Sequence, residues 1–271
     1  PYLDVPVLLG KFSENSLLMR LARLWHSTVV SKASMVTVTS QSFIEHGAAP
    51  KNKSIVIAHG VDLHLFGKYH INIRKRHHLN KKFVVLYTGS FAAWHSCEQI
   101  IKAAQLISRK NARITFLMVG EGEQFERCKD LAAELSIKKQ VVFAGKVPFD
   151  EIPSYVHAAD ACVALFDRRY PPFKRFSFYY SPMKITEYMA CGKPIVASNF
   201  GNLRKLVVNG KNGLLVNESD AHNISKAILK LSLQKNLCKK IGAYNKNQAV
   251  KTYDWDVINS HILRELEKRT H

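Results

Sequence analysis

Short apolar runs rich in β-branched residues alternate along this chain with longer segments in which apolar residues recur every three or four positions. The short runs are nearly continuous in apolar character, as strands that are covered on both faces are. The longer segments have the period of amphipathic helices. The predicted strands are residues 36–39, 54–58, 83–88, 114–119, 141–144, 161–166, 194–197 and 213–216.

Four segments have the spacing of amphipathic helices. They begin after Ser96, span residues 123–135, begin after Asp220 and span residues 256–268. Ser96 and Gln99 form a capping box, and Asp220 is a suitable N-cap. The alternation of strands and helices predicts an α/β fold with a doubly wound, mostly parallel sheet. Residues 81–249 supply a complete domain of this kind, whereas the residues before about 65 supply too little for an independent core.

The composition is that of a globular protein. The chain has 271 residues, of which 46% are hydrophobic and 23% are charged, and these values exclude wholesale disorder. No uncharged apolar run approaches the roughly 18 residues of a membrane span, so a transmembrane helix is not predicted. The five cysteines are scattered without a C-x-x-C pair, which indicates free thiols in a reducing compartment. The chain begins with Pro1, and we expect it to be a piece of a longer protein.

The charge balance is strongly positive. Lys and Arg number 40 and Asp and Glu 21, which gives a net charge of +19 and favours anionic partners. The basic run 74–78, with Lys81 and Lys82 after it, is interpreted as a solvated loop. A second basic cluster, 168–180, is different because six aromatic residues are interleaved with four cations: Arg168, Arg169, Tyr170, Phe173, Lys174, Arg175, Phe176, Phe178, Tyr179 and Tyr180.

The cluster 168–180 has two interpretations. Its mixture of rings and cations is typical of a loop that faces a membrane surface or gates a ligand. It also resembles a platform on which the bases of single-stranded nucleic acid stack. No RNP, KH or zinc-finger pattern accompanies it, so the first interpretation is favoured.

Ligands of open parallel sheets bind at the carboxyl ends of the strands, where the strand order reverses. The candidate loops begin at Gly89, Gly120, Gly145, Phe166 and Ser198. The first loop runs into the helix after Ser96, and a helix N-terminus suits a phosphate. The Gly120 loop lacks the third glycine of a dinucleotide fingerprint and carries two glutamates, so it is interpreted as a turn whose backbone lines the cleft.

Segment 180–194 contains the most informative pattern. Ser181 suits an N-cap, Pro182 suits the first helical position and Gly192 suits the end of a helix of about two turns. Lys184 lies in the first turn, where the helix dipole disfavours a cation by about 0.3–1 kcal/mol unless an anion is bound. Glu187 lies three residues on, and a carboxylate there can accept hydrogen bonds from a ribose diol. The alternative is a surface ion pair, and the unfavourable position of Lys184 favours a binding site.

Five short motifs occur in an order that resembles glycosyltransferase family 4, the retaining sugar-nucleotide enzymes of GT-B fold. The family patterns are N-G-V-D-x-x-x-F, F-x-G-x-V, an A-A-D before a strand, E-x-M-A-x-G-x-P-V-V-A and x-G-x-x-G-x-L-V. The corresponding segments are AHGVD at 58–62 with Phe66, FAGKV at 143–147, AAD at 158–160, EYMACGKPIVA at 187–197 and NGKNGLLV at 209–216. The resemblance extends from about residue 36 to the C-terminus.

The resemblance implies a GT-B-type fold with an incomplete N-terminal domain. Residues 1–65 would be the remnant of the acceptor-side domain, and residues 66–255 a Rossmann-like domain that binds a nucleotide sugar. Residues 256–271 would be a C-terminal helix that crosses back to the N-terminal domain.

The resemblance also implies a donor site and its residues. Glu187 would hold the ribose, the amides after Gly89 and those around 181–183 would cradle the diphosphate, and Lys146 and Val147 would flank the base. The full donor-binding set is Gly89, Ser90, His95, Gly120, Lys146, Val147, Ser181, Met183, Lys184 and Glu187. Neither a metal nor a cofactor besides the donor substrate is implied, because cations neutralise the leaving group.

The chain departs from the usual family pattern at three positions. Ser90 stands where an arginine is usual, His95 where a lysine is usual, and Tyr179 where the first of two glutamates is usual. Lys184 is expected to replace part of the lost positive charge, and His95 another part if it is protonated. The pattern S-P-x-K-x-x-E-Y-M-A, with Trp94-His95 in the first loop, resembles one branch of the family. No catalytic residue is assigned.

The sequence therefore predicts a metal-independent, hexosyltransferase-like retaining enzyme. It would move a sugar from a nucleotide-diphosphate sugar to a glycan or lipid-linked acceptor in cell-surface polysaccharide synthesis. It would be cytoplasmic and peripheral on the membrane face, with cluster 168–180 toward the membrane or the acceptor. The alternatives are a non-catalytic sugar-nucleotide-binding fragment and a basic nucleic-acid-binding α/β protein, the latter motivated by charge alone.

Overall fold

The computed structural model describes residues 3–270. Within that range the strands are β1 (Val36–Val38), β2 (Ser54–Val56), β3 (Phe83–Thr88), β4 (Ile114–Val119), β5 (Val141–Gly145), β6 (Ala161–Ala164), β7 (Ile195–Ser198) and β8 (Gly213–Val216). All eight predicted strands are confirmed, and β3, β4 and β8 have the predicted bounds. The predicted strand 161–166 ends early because Leu165 and Phe166 turn out of the sheet toward the loop after β3.

The helices vary from one turn to four or more. They are α1 (Asp4–Leu8), α2 (Leu17–Lys32), α3 (Ser42–Glu45), α4 (Leu63–Phe66), α5 (Ile73–Arg76), α6 (Cys97–Ser108), α7 (Phe125–Glu134), α8 (Ile152–Ala158), α9 (Pro171–Phe176), α10 (Met183–Ala190), α11 (Leu203–Leu206), α12 (Ala221–Leu233), α13 (Lys235–Gln248) and α14 (Trp255–Thr270). Two 3₁₀ turns (Lys51–Lys53 and Phe149–Glu151) and a π-helical turn (Ala249–Tyr253) complete the regular elements.

The predicted helix caps at Asp220 and Ser96 have different outcomes. The Asp220 carboxylate accepts hydrogen bonds from the amides of His222 and Asn223, so this predicted cap is confirmed. The predicted capping box at Ser96 is wrong, because the Ser96 side chain makes no capping hydrogen bond. Instead, the Ser96 amide donates to the carbonyl of Leu165 across the sheet edge.

The six strands β3 to β8 form one parallel sheet in the order β5-β4-β3-β6-β7-β8. Successive residues of β3 enter different cores: Val84 and Leu86 pack on one face, and Val85 and Tyr87 on the other. Burial on both faces explains why the strands are continuous apolar runs. Strands β1 and β2 form a separate parallel pair.

The strand order reverses between β3 and β6. From β3 the chain proceeds to β4 and β5 on one side, and from β6 to β7 and β8 on the other. The doubly wound, Rossmann-like arrangement is therefore confirmed, and its switch point lies between the loops that follow β3 and β6.

Four of the six aromatic rings of cluster 168–180 do not face outward, contrary to the prediction. Phe173, Phe176, Phe178 and Tyr179 are buried and pack edge-to-face or tilted against one another. Helix α9 explains the error, because its three-residue spacing turns Phe173 and Phe176 inward while the intervening cations stay exposed. These four rings form part of the core, whereas Tyr170 and Tyr180 are half-buried.

The basic run 74–78 forms more contacts with the rest of the fold than predicted. Arg74 pairs with Asp160 at 2.6 Å and donates to the carbonyls of Ala158 and Lys82. The same Asp160 carboxylate accepts from the amide of Val84 at 2.7 Å. Arg74 therefore connects α5 to the start of β3 and is not part of a solvated loop.

The end of the chain returns to its first third. The Val61 amide donates to the Tyr253 carbonyl at 2.7 Å, and the indole of Trp255 lies so close to Gly60 that a Cβ there would clash with it. Near the end of α14, Arg269 donates to the carbonyl of Asn52. The division at 1–65, 66–255 and 256–271 stays a prediction.

Two further observations concern residues 3–270. The cysteines, all five of which fall in this range, are free, as predicted. No helix in the described range combines the length and the apolar character that a membrane span requires.

Candidate functional site

The candidate site lies at the switch point, where two loops are joined by backbone hydrogen bonds. His95 forms an isolated antiparallel bridge with Phe166, and the Asp167 amide donates to the Trp94 carbonyl at 2.9 Å. At the β7 end, Ser198 Oγ accepts from the Phe166 amide at 2.8 Å. These bonds fix the loops after β3 and β6 into one surface at the carboxyl edge of the sheet.

Glycines allow the neighbouring loops to approach closely. Gly89 has a φ of +134°, and a Cβ there would lie 2.7 Å from the ammonium nitrogen of Lys184. Gly120 has a φ of +130°, and a Cβ there would collide with the Gly89 carbonyl. The Gly89 amide donates to Val119 O at 3.0 Å and the Gly120 amide to Gly145 O at 2.8 Å. Gly89 and Gly120 therefore serve close packing, and their amides are already engaged.

The remaining amides of the first loop differ in availability. The Phe91 amide donates to Glu121 O, and the Ala93 amide to the carboxylate of Glu123, both at 2.8 Å. The amide of Ser90 has no hydrogen-bond acceptor within residues 3–270. The amides of Ala92 and Trp94 also lack an acceptor in this range, so the expectation that amides after Gly89 cradle a diphosphate narrows to the amides of Ser90, Ala92 and Trp94.

Helix α10 begins at Met183, not after a Ser181 cap. Ser181 Oγ instead accepts the amide of His59 at 2.9 Å, which joins the start of α10 to the AHGVD segment. The predicted cap is wrong because this long-range donor occupies the hydroxyl, and Pro182 holds the N-cap position. The amides of Met183 and Lys184, in the first turn, have no acceptor among the described residues and remain available to an anion.

Tyr188 fixes α10 to the end of β3. Its hydroxyl accepts from the Thr88 amide at 3.0 Å and lies 2.9 Å from Thr88 Oγ1, and the ring is fully buried. This bond sets the position of the two neighbouring ionisable residues, Lys184 and Glu187, relative to the Gly89 loop. Sequence reasoning missed Tyr188 because its partner is a hundred positions away in the chain.

Lys184 places a buried ammonium beneath the first loop. Its Nζ lies 4.5 Å from the ring centroid of Tyr87 and 5.4 Å from that of Phe166. This nitrogen is buried and has no hydrogen-bond partner among residues 3–270. Burial lowers the pKa of Lys184 from 10.5 to about 8, although the neighbouring Cys97 and Glu187 raise it. A buried cation without a partner is unfavourable, and an anion at this loop would supply the missing partner.

Glu187 lies on the same helix and is also buried. Only 8% of its surface is exposed, and no hydrogen bond or ion pair to its carboxylate occurs among the described residues. Burial raises the pKa of Glu187 to about 7, and the opposite effect of Lys184 does not cancel it. Lys184 and Glu187 therefore form a pair of buried ionisable groups without hydrogen-bond partners. Such a pair suits a ligand whose anionic part binds the ammonium and whose hydroxyl groups donate to the carboxylate.

The condition that His95 is protonated is not met. Burial, followed by the nearby positive charge of Lys184, lowers the pKa of His95 to about 2, and the Ser90 carbonyl opposes this only in part. That carbonyl lies 2.7 Å from Nδ1, and because a carbonyl only accepts, Nδ1 carries the proton. His95 is therefore neutral with Nε2 as an acceptor, and Lys184 is left as the buried cation at this edge.

The residues predicted to flank the base lie beyond β5. Lys146 is exposed and forms an ion pair with Glu121 at 2.7 Å, which neutralises one of the two glutamates in the Gly120 loop. Val147 is half-buried and packs against the core. The structure thus brings Lys184, Glu187, His95, Ser90 and Gly89 together at the switch point, while Lys146 and Val147 lie at the β5 end of the same edge.

Two further residues shape the loop after β6. Glu218 is completely buried, and Arg168 binds its carboxylate through two nitrogens at 2.6 and 3.1 Å. Tyr179, at the position of the family's first glutamate, is buried against Phe43 and Phe173. Neither contact could be read from the sequence, because each joins distant parts of the chain. Among residues 3–270 no group of three or more His, Cys, Asp or Glu side chains is placed to hold a metal.

This chain is similar to known glycosyltransferases. The family model for glycosyl transferases group 1 matches residues 70–248, which is more than half of the chain. An uncharacterized glycosyltransferase of Methanocaldococcus jannaschii, MJ1069, is 30% identical over 175 residues, which cover 64% of this chain and 42% of the relative. The GDP-mannose-dependent alpha-(1-6)-phosphatidylinositol monomannoside mannosyltransferase of Mycolicibacterium smegmatis is 23% identical over 260 residues, covering 93% of this chain and 67% of the relative.

Solved structures show the same fold. Anabaena Alr3699/HepE in complex with UDP superposes with a TM-score of 0.76 at 21% identity, covering 95% of this chain and 70% of that one. The similarity confirms the GT-B-type α/β architecture. The chain spans only part of the length of its relatives, 42% of MJ1069 and 67% of the mannosyltransferase. On the match across residues 70–248, the chain belongs to the glycosyl transferases group 1 family.

Proposed function

We propose that this chain carries the donor site of a retaining glycosyltransferase of family 4, which moves a sugar from a nucleotide-diphosphate sugar to a glycan or lipid-linked acceptor. The observation that carries the proposal is the buried, unpartnered ammonium of Lys184 beside Gly89 at the switch point. A diphosphate is a suitable counterion for it, and free amides at Ser90, Met183 and Lys184 can complete the cradle.

The residues have distinct roles in this proposal. Lys184 neutralises the charge that develops on the diphosphate as the glycosidic bond breaks, which is why no metal is required. Glu187, in its ionised form, accepts the ribose hydroxyls. The neutral His95 offers Nε2 as an acceptor for a sugar hydroxyl, and Lys146 with Val147 borders the base.

The donor is proposed to be a hexose carried on a nucleoside diphosphate. The mannosyltransferase relative is named for GDP-mannose, and the Anabaena neighbour was solved with UDP-glucose, so a hexose donor on either base is consistent with these similarities. We propose a role in cell-surface polysaccharide synthesis at the cytoplasmic face of the membrane. An anionic membrane partner rests on the net charge of +19, and salt-sensitive binding to anionic liposomes tests it.

A non-catalytic sugar-nucleotide-binding role is the second candidate. It is favoured by Tyr179, because a buried tyrosine in the aromatic core cannot perform the function of the glutamate usual at that position. Four of the six rings of cluster 168–180 are buried and cannot stack on bases, so the nucleic-acid-binding alternative rests on the net charge of +19 alone.

The test separates binding from turnover. Unfolding temperature is measured with UDP, GDP and ADP, and the nucleotide that raises it is titrated by calorimetry. Hydrolysis of UDP-glucose and GDP-mannose is then followed with and without EDTA, and the anomeric configuration of the product is read by NMR. Binding with turnover, retention and insensitivity to EDTA is expected. Binding without turnover supports the second candidate, and no binding of any nucleotide refutes both.

A further inference from the structure

A cavity of about 370 Å³ lies between residues 40–46 and residues 174–178. The two walls are joined by Ser42, whose Oγ donates to the carbonyl of Phe176 at 3.0 Å. Gly201, Asn202 and Lys205 complete the lining. The cavity is therefore bordered by the ends of both sheets, and its volume suits a molecule of the size of a phosphorylated sugar or polyol.

The cavity is lined by an excess of positive charge. Lys174, Arg175 and Lys205 line it together with a single carboxylate, that of Glu45. Within residues 3–270 the three cations form no side-chain hydrogen bond or ion pair. The other two cations of cluster 168–180 are different, since Arg168 is paired with Glu218 and Arg169 with Asp167. The unpaired cations of the cluster are thus those that border the cavity.

A buried hydroxyl in the wall lacks a partner. Ser40 is 1% exposed, lines the cavity, and its Oγ makes no hydrogen bond to any described residue. Buried hydroxyl groups are nearly always hydrogen-bonded, so an orphaned one at a cavity wall indicates a ligand that supplies the acceptor. An anionic oxygen satisfies both the hydroxyl and the neighbouring cations.

The cavity and the donor site are neighbours. Phe178 lines the cavity, and its ring centroid lies 4.6 Å from that of Phe166. Phe166 in turn lies 5.4 Å from Lys184 Nζ. A single aromatic ring therefore separates the cavity wall from the ammonium assigned to the donor diphosphate.

We propose that this cavity binds the phosphate group of a phosphorylated acceptor, with Lys174, Arg175 and Lys205 as counterions and Ser40 Oγ as a hydrogen-bond donor. The acceptor role rests on the proposed function. The phosphate belongs either to a soluble phosphomonoester or to a lipid headgroup, because both present the same anionic oxygens to the cavity.

The experiment compares a paired charge removal with a matched control. Lys174→Ala with Arg175→Ala removes two cations of the cavity, and Lys239→Ala with Lys240→Ala removes two exposed cations elsewhere. Glycerol 3-phosphate is titrated by calorimetry with and without saturating UDP. Co-sedimentation with phosphatidylcholine vesicles, with and without phosphatidic acid, tests the lipid source. Ser40→Ala is measured in the same way, and UDP affinity is recorded for every variant.

The cavity variant should lose affinity for the phosphate probe by about tenfold or more, as loss of charged hydrogen bonds implies, while the control keeps it. Ser40→Ala should reduce the affinity for the phosphate probe by a smaller factor. Binding of glycerol 3-phosphate in the calorimeter identifies a soluble phosphomonoester as the ligand. Binding only to vesicles that contain phosphatidic acid identifies a lipid headgroup. No binding of either probe, or equal loss in cavity variant and control, overturns the proposal. Unchanged affinity for the nucleotide that the unmodified chain binds shows that the variant is folded, and an unmodified chain that binds none of UDP, GDP and ADP refutes the donor site separately.

Discussion

Replacing Lys184 with methionine should stabilise the free protein and weaken nucleotide binding at the same time. Burial lowers the pKa of Lys184 from 10.5 to about 8, so the ammonium is disfavoured in the folded chain. The difference of about 2.5 between these pKa values corresponds to about 3 kcal/mol. Below about pH 8 the folded protein is destabilised by this full amount. The destabilisation decreases between pH 8 and the unfolded pKa of 10.5, and it vanishes at higher pH, where Lys184 is neutral in both the folded and the unfolded chain.

Methionine keeps the length and the apolar stem and removes the charge. We therefore expect Lys184→Met to raise the free energy of unfolding at pH 7 by up to about 3 kcal/mol. Its affinity for UDP should fall by about 10- to 100-fold, because a charged hydrogen bond contributes about 1.5–3 kcal/mol. Urea unfolding measures the first effect, and calorimetric titration with UDP measures the second.

Lys193 supplies the control. Its ammonium donates to the carbonyls of His157 and Ala159 at 2.9 and 2.8 Å, so it is satisfied within the fold. Lys193→Met should lower stability, since two carbonyls lose their donor, and leave UDP affinity unchanged. A Lys184→Met protein that is less stable than the unmodified chain at pH 7 and binds UDP equally well would contradict the assignment of Lys184 as a ligand-binding cation.

Three further predictions concern the same edge of the sheet. Glu187→Gln should weaken UDP binding by about 1.5–3 kcal/mol, since the amide cannot accept with both atoms, and an unchanged calorimetric Kd in the folded variant argues against a ribose contact. UDP affinity should fall tenfold per pH unit as the pH rises above about 8, where free Lys184 loses its proton, and calorimetry should find this slope absent in Lys184→Met. Tyr188→Phe should lower the free energy of unfolding by about 1–3 kcal/mol, because the buried Thr88 amide loses its acceptor. Urea unfolding measures that loss, and stability equal to that of the unmodified chain would show that the bond does not hold α10 in place.

The sequence was sufficient to predict the strands because burial on both faces leaves a simple local signal. Strands β3 and β4 consist almost wholly of apolar residues, and their bounds follow from that alone. The sequence singled out Lys184 for a similar reason, since a cation in the first turn of a helix is locally anomalous. What the sequence could not supply was its environment, such as the Tyr87 and Phe166 rings around the ammonium.

The wrong predictions have a common physical origin in contacts between distant segments. A histidine usually titrates near neutral pH, but burial and the charge of Lys184 lower the pKa of His95 and keep it neutral. Serine is a residue type that often caps helices, but the Ser181 hydroxyl accepts a hydrogen bond from the amide of His59 instead. The rings around Phe173 are surrounded by cations in sequence but by other rings in space.

The contact of Val61 with Tyr253 and Asp254 has a mechanical consequence. The chain passes between the two sheets once in each direction, and both passages meet at this one bridge. A Cβ at Gly60 would clash with the indole of Trp255, so the two passages can lie this close only around a glycine, and a larger residue there would push them apart.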